Sequence, residues 1–288
     1  MKIRNPYKGK TRGEIVVHTI ASLIMGAFAF SYVFGFFWAV FAGANTHQGI
    51  VLHPFELPEK WQWSNYIEVF DALEVRGVNF IGMTVNTLLM VLVMPLTGIG
   101  GIVCTAYAIS RYRFPGRNFL LNLNLVTITL PIFGGTAATL ALYKALGMYD
   151  TPLLLLSCVG CFGGDFLFIM ACFKGVSRSY GEAAKIDGAG PLRIMVQIDV
   201  PMAMGTISAL WILALVARWN DSGTALLYWP NMPTLATGIY LFNVEMTYRV
   251  RMDIMMAATV VSGIPPLLLF AIFHKKMLSN ISFGGLKG

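Results

Sequence analysis

Charge is what this sequence has least of: only 12% of its residues are Asp, Glu, Lys or Arg, roughly half the share of a soluble globular domain. With 56% apolar residues beside it, that scarcity excludes a water-soluble protein and points to one whose solvent is lipid. Cysteine is also sparse. Cys104, Cys158, Cys161 and Cys172 all fall in apolar segments, and although Cys158 and Cys161 are spaced C-x-x-C, neither a second pair nor a nearby histidine completes a redox or metal site. They read as small packing residues. His18, His47, His53 and His274 have no ligand spacing, so no metal is expected. Gly9-Lys10-Thr11 ends like a phosphate-binding loop, but Arg4 stands where that loop needs its first glycine. With no nucleophile–base constellation either, the chain reads as non-catalytic and is expected to bind no cofactor itself.

What the sequence does have is long apolar runs. A bilayer takes about 20 apolar residues per helix, and runs at about 15–44, 79–109, 118–143, 152–173, 202–229 and 254–274 meet that need. They predict an all-α membrane protein of six spans forming one transmembrane domain over residues 1–288. The first run is about twice the apolar core of a signal peptide and is read as an uncleaved span. Pro95, Pro131, Pro265 and Pro266 lie inside spans, where neighbours can re-satisfy a bent backbone; Pro131 with Gly134 and Gly135 suggests a bent, pore-lining helix.

The net charge of +7 does not signal nucleic acid, because the charges sort by side of the membrane. With the N-terminus inside, the inner segments (residues 1–14, 110–117, 174–201 and the C-terminal Lys275, Lys276, Lys287) hold 15 of the 21 Lys and Arg. Lys60, Arg76, Lys144, Arg218, Arg249 and Arg251 fall outside. Positive residues favour the cytoplasm, so both termini and the 174–201 loop are expected there. Residues 45–78 carry Glu56, Glu59, Glu68, Asp71 and Glu74 among Trp61, Trp63, Tyr66 and Phe70, which reads as an interfacial helix or a surface for an external partner.

The loop Lys174 to Pro201 is the least membrane-like stretch. Ser177 or Ser179 can cap a helix running to Asp187, Gly188 can stop it, Pro191 suits the first turn of a second short helix, and Pro201 is expected to open the next span. Small Ala183, Ala184 and Ala189 surround the corner, flanked by charged Glu182 and Asp187. From the residues alone a solvated connector and a protein-docking corner both remain open. Polar groups inside spans, costly in lipid, add candidate function: Asn86, Asn122, Asn124, Asp165, Asn220 and Asp221. Each has a structural alternative, an interhelical hydrogen bond for Asn86 or Asn122 and a salt bridge with Arg218 or Arg249 for Asp221. Asp165, behind Gly160, Gly163 and Gly164, is expected at a subunit interface or the cargo cavity.

Glu182-Ala183-Ala184, then Gly188, then Ile198 and Pro201 resemble the E-A-A signature loop of permease subunits of prokaryotic ATP-binding-cassette importers. The stretches 106–117 (AYAISRYRFPGR), 146–151 (LGMYDT), Trp219-Asn220-Asp221 and 284–288 (GGLKG) are similar to the carbohydrate, maltose-type branch. Ser177, Ser179 and Gly181 depart from the proline and acidic residues that often stand there. The resemblance implies a type I importer permease fold in a prokaryotic cell membrane, working with a homologous permease, two separate ATPase subunits that bind ATP and Mg, and an extracytoplasmic sugar-binding protein. It also implies that the loop docks on the ATPase, with Glu182 pairing with a basic residue there and Gly188 making the bend. Sugar cargo would add Trp211 and Trp219 to the cavity candidates. A permease for a non-sugar solute and a carrier driven by an ion gradient, using Asp165 or Asp221, are the alternatives.

Overall fold

The structure, a computed structural model, describes residues 11–130, 135–245 and 251–281. The basic tail Lys2 to Lys10, Pro131 with Gly134, Arg249 and the closing 284–288 stretch with Lys287 lie outside the described residues, as do the side chains of Glu245, His274, Lys275 and Lys276. The described residues are mostly helical and separate into two compact units.

In the first unit, α1 (Arg12–Gly43) opens with a capping box in which Thr11 and Glu14 satisfy each other's backbone N–H. Apart from Ala42 and Gly43 its residues are not buried. Its end is fixed by α3 (Asn65–Ala72), which follows the short α2 (His47–Leu52): the buried Asn65 amide donates to Gly43 O and Asn45 O at 3.0 and 2.9 Å, and the Tyr66 hydroxyl donates to Val40 O at 2.8 Å. Gly43 is needed because a Cβ there would stand 2.9 Å from the Ala257 backbone. The acidic–aromatic stretch thus holds two short helices, and its Trp61, Trp63 and Tyr66 rings stack at centroid spacings of 5.6 and 5.9 Å, with Phe41 of α1 meeting Trp61 edge-on at 5.8 Å. Arg251 pairs with Glu68 (2.7 Å) and with the buried Asp253 (2.6 Å).

The second unit starts with a tiny hairpin, β1 (Glu74–Val75) and β2 (Val78–Asn79). Its two-residue turn holds Arg76 and Gly77 at φ of +54° and +78°, the left-handed pair that matches strand twist. Asn79 caps α4 (Phe80–Arg111). Helix α4 is the spine: α7 (Gly164–Gly175) and α10 (Val200–Trp219) pack along it, burying Ile99, Ile102, Ala106 and Tyr107 against Phe166, Ile169, Phe173 and Ala203. Nearer its start, Met90 and Met94 pack with Leu154 and Trp229. Pro95 sits inside α4, and Pro265 and Pro266 inside α13 (Met252–Ile281).

Among the described residues, four helices are long and apolar enough to cross a membrane: α1, α4, the continuous run Pro191–Trp219, and Met252–Leu269 of α13. The other expected spans are broken. Residues 118–143 divide into α5 (Arg117–Thr129) and α6 (Gly135–Ala145). Residues 152–173 divide into a 3-10 turn (Pro152–Leu156), an irregular segment 157–163 and α7, because Gly163 takes φ +139°, outside helical space. The freed backbone is satisfied from the sides: Thr105 of α4 donates to Cys161 O (2.6 Å) and Asn124 of α5 accepts from Gly163 N (2.8 Å). Such irregular backbone is tolerated at membrane depth when buried in protein. The expected 202–229 span stops at Trp219, because Asp221 caps a separate α11 (Ser222–Tyr228) through Thr224 N at 2.9 Å; α12 (Leu235–Glu245) follows. The cysteines also depart from uniform core packing, with Cys104 and Cys161 exposed and Cys158 and Cys172 half-buried.

Candidate functional site: a charged loop clasped to a membrane helix

The 174–201 loop folds as its residues dictate, with one difference. Ser177 Oγ accepts from Ser179 N at the start of α8 (Arg178–Ile186). The helix ends when Gly188, at φ +82°, lets Ala189 N reach Ala184 O (2.8 Å) and Gly188 N reach Lys185 O (3.0 Å), the paired bonds of a Schellman stop. Pro191 opens α9 (Pro191–Ile194). Pro201 stands in the first turn of α10, as expected, but that helix has no free start. It lies within the continuous run Pro191–Trp219, just after a π turn over Met195–Asp199. Proline has no N–H to donate and its ring crowds the carbonyl four residues back; a π turn at that point widens the helix and removes the conflict.

Glu182, Ala183 and Asp187 are exposed, Ala184, Ala189 and Ile198 half-buried. Gly181, a departure from the family pattern, lies beside Ile194 of α9, whose Cγ2 would be in ordinary contact, 3.5 Å, with a Cβ there, so the position does not demand glycine. Two apolar side chains missed in the sequence stand out at the corner, Ile186 (88% exposed) and Leu192 (77%). For Ile186 the signal was present, since it is an isolated aliphatic between Lys185 and Asp187 beside Gly188.

Behind the loop lies a cavity of about 160 Å³ bordered by Tyr107, Arg111, Arg178, Glu182, Lys185 and Asp199. Its floor is the ion pair of Arg111 Nη2 with Asp199, both side chains nearly buried. Neither residue was singled out, because 88 positions separate them in the chain.

The intramembrane polar residues do not converge on one point. Asn86 donates to Pro233 O (3.1 Å), Trp219 Nε1 to Ser262 O (3.0 Å) and Asn220 to Val216 O (3.0 Å). Asp221 caps α11 and accepts from Arg218 at 2.8 Å. Asn122 is exposed on α5. Among the cargo-path candidates three groups retain unused capacity within the described residues: Asn124 Nδ2 and Trp211 Nε1 are buried donors without acceptors, and Asp165, half-buried in the first turn of α7, has no partner.

Residues 97–280 match the family model described as "Binding-protein-dependent transport system inner membrane component". The chain is 28% identical to the inner membrane ABC transporter permease protein YcjP of Escherichia coli K12, over 86% of this chain and 88% of that one. It is 27% identical to the diacetylchitobiose uptake system permease protein NgcG of Streptomyces coelicolor, over 86% and 82%. Among solved structures, a chain of a bacterial ABC transporter involved in import of the acidic polysaccharide alginate superposes with a TM-score of 0.79 at 20% identity, covering 92% of this chain and 98% of that one.

Proposed function

The chain belongs to the binding-protein-dependent transport system inner membrane components, and from that premise we infer that it is the permease subunit of an ATP-driven importer moving a carbohydrate into the cytoplasm. The observation that carries this reading is the E-A-A loop: a helix, a glycine-ended Schellman corner and a second helix, presenting Ile186 and Leu192 outward. Exposed apolar side chains on a soluble-facing corner fit a protein partner, here a separate ATPase whose closure on ATP moves the spans. Cargo of the saccharide class is supported by the diacetylchitobiose permease among the relatives.

The six-span topology counts α5 with α6, and the 3-10 turn with α7, as broken spans. The orientation is supported by segment meetings. Arg111 reaches Val176 O, joining two segments assigned to the inside, whereas Asp150 accepts from Asn231 N (3.0 Å) and Arg76 donates to Pro230 O (3.0 Å), joining segments assigned to the outside. The partners follow from the family: a second permease, two ATPase subunits that bind ATP and Mg, and an extracytoplasmic binding protein. Asn124, Trp211 and Asp165, with unused hydrogen-bonding groups, are the first residues to test along the cargo path.

Affinity purification of the chain from its native membrane tests this. It is expected to bring down a second multi-span protein and an ATPase, and with its binding protein in proteoliposomes to import radiolabelled oligosaccharide only when ATP is supplied inside the ATPase-facing compartment. A chain that purifies alone and accumulates solute on an ion gradient without ATP would instead be a secondary carrier.

A further inference from the structure

We propose that Arg111 is the fulcrum of the coupling loop, fastening both ends of the loop to α4. Its guanidinium forks. Nη1 donates to Val176 O at 3.0 Å, at the residue where α7 gives way to the loop, and Nη2 pairs with Asp199, where the loop's π turn gives way to α10. The 22 residues between those contacts are the projecting lever. Arg111 itself occupies the last turn of α4, where a cation is favoured by the helix dipole.

Three features suit it to transmit force rather than only to neutralise charge. The pair is mostly buried, with side chains 11% and 4% exposed, and faces solvent through the cavity whose floor it forms. The planar guanidinium can hold two acceptors in fixed directions, which a lysine ammonium on a flexible stem does less well. The Tyr107 side chain, one turn earlier on α4, also engages Asp199. A push received at Ile186 and Leu192 would reach α4 through this clasp, and α4 in turn carries α7, α10 and the broken 157–163 segment. Arg111 is thus a positioning residue: it touches neither ATP nor cargo.

The proposal rests on the loop's docking to an ATPase, and hydrogen–deuterium exchange of the purified complex separates the two. In the wild type, ATP with vanadate is expected to protect both a docking peptide, 182–192, and a fulcrum peptide, 104–112. In Arg111→Gln the docking peptide keeps its ATP-induced protection, exchange across 176–190 without nucleotide speeds up about tenfold or more, and the ATP response of 104–112 is lost. Arg111→Lys, which keeps the charge and is expected to assemble even if Arg111→Gln does not, shows the same loss in weaker form. An unchanged ATP response of 104–112 in an assembled variant overturns the fulcrum while leaving docking intact. No ATP response at 182–192 in the wild type removes the docking reading and the fulcrum with it.

Discussion

Helices α1 and α4 are matched by every coarse measure. Each has 32 residues, with mean hydropathies of 1.9 and 2.2, yet none of α1's most apolar window is buried within the chain and 44% of α4's is. The difference lies in which side chains recur on a face. Helix α1 shows large groups all round, Phe28, Phe30, Phe34 and Phe37 among them, and its Gly13, Gly26 and Gly35 have open space beyond them. Helix α4 sets Gly98, Gly101 and Thr105 in one stripe, against which the carbonyls of Cys158, Gly160 and Cys161 lie. Hydropathy selects lipid as the solvent; small residues and hydroxyls decide where protein replaces it.

That contrast predicts paired outcomes. The largest is Gly101→Leu: even its Cβ would come within 2.4 Å of Gly160 O, backbone that cannot swing aside, at a cost of about 3 kcal/mol or more. Folded yield in detergent should collapse, whereas Gly26→Leu in α1 should leave it unchanged. Next, Thr105→Val leaves Cys161 O without its donor, which should cost about 1–3 kcal/mol. Thr19→Val removes only a bond to the helix's own Ile15 O and should lie within about 0.5 kcal/mol; thermal aggregation midpoints would rank the two. Asn124→Leu, removing the acceptor for Gly163 N, is expected to resemble Thr105→Val in the same assay. Equal effects in α1 and α4 would refute the comparison. The smallest structural effect is expected for Asp165→Asn, which has no partner to lose among the described residues: assembly is retained and uptake falls. If both stay at wild-type levels, Asp165 leaves the cargo path.

The loop was the most legible part of the molecule, because its elements are local. Ser177, Gly188 and Pro191 each act on backbone within a few residues, and each does in space what its chemistry suggests in sequence. The break within the expected 152–173 span was not legible. An apolar run has the same composition whether or not its helix is interrupted, and the groups that make the interruption at 157–163 tolerable, Thr105 and Asn124, come from other helices. Pro201 was half legible: it does stand in the first turn of α10, but a π turn joins that helix to α9 without a stop. The Arg111–Asp199 clasp was illegible in principle, since nothing in either neighbourhood names the other. The cargo-path residues fared in between: Asn86 and Asp221 took the structural alternatives already open to them, a hydrogen bond to another segment and a salt bridge with Arg218, whereas the bonds of Trp219 and Asn220 were not foreseen.

The central claim is that the 174–201 loop is a rigid lever, and Gly188 tests it most directly. Its φ of +82° is strained for any side chain, while the space around it is open, so Gly188→Val reshapes the corner without a clash. ATP-driven uptake by cells expressing the variant, normalised to chain and ATPase in the membrane, is the measurement. The lever predicts normal membrane levels and uptake reduced at least about tenfold, given a local strain of about 1–2 kcal/mol or more placed on the docking geometry. Uptake at the wild-type rate would contradict it.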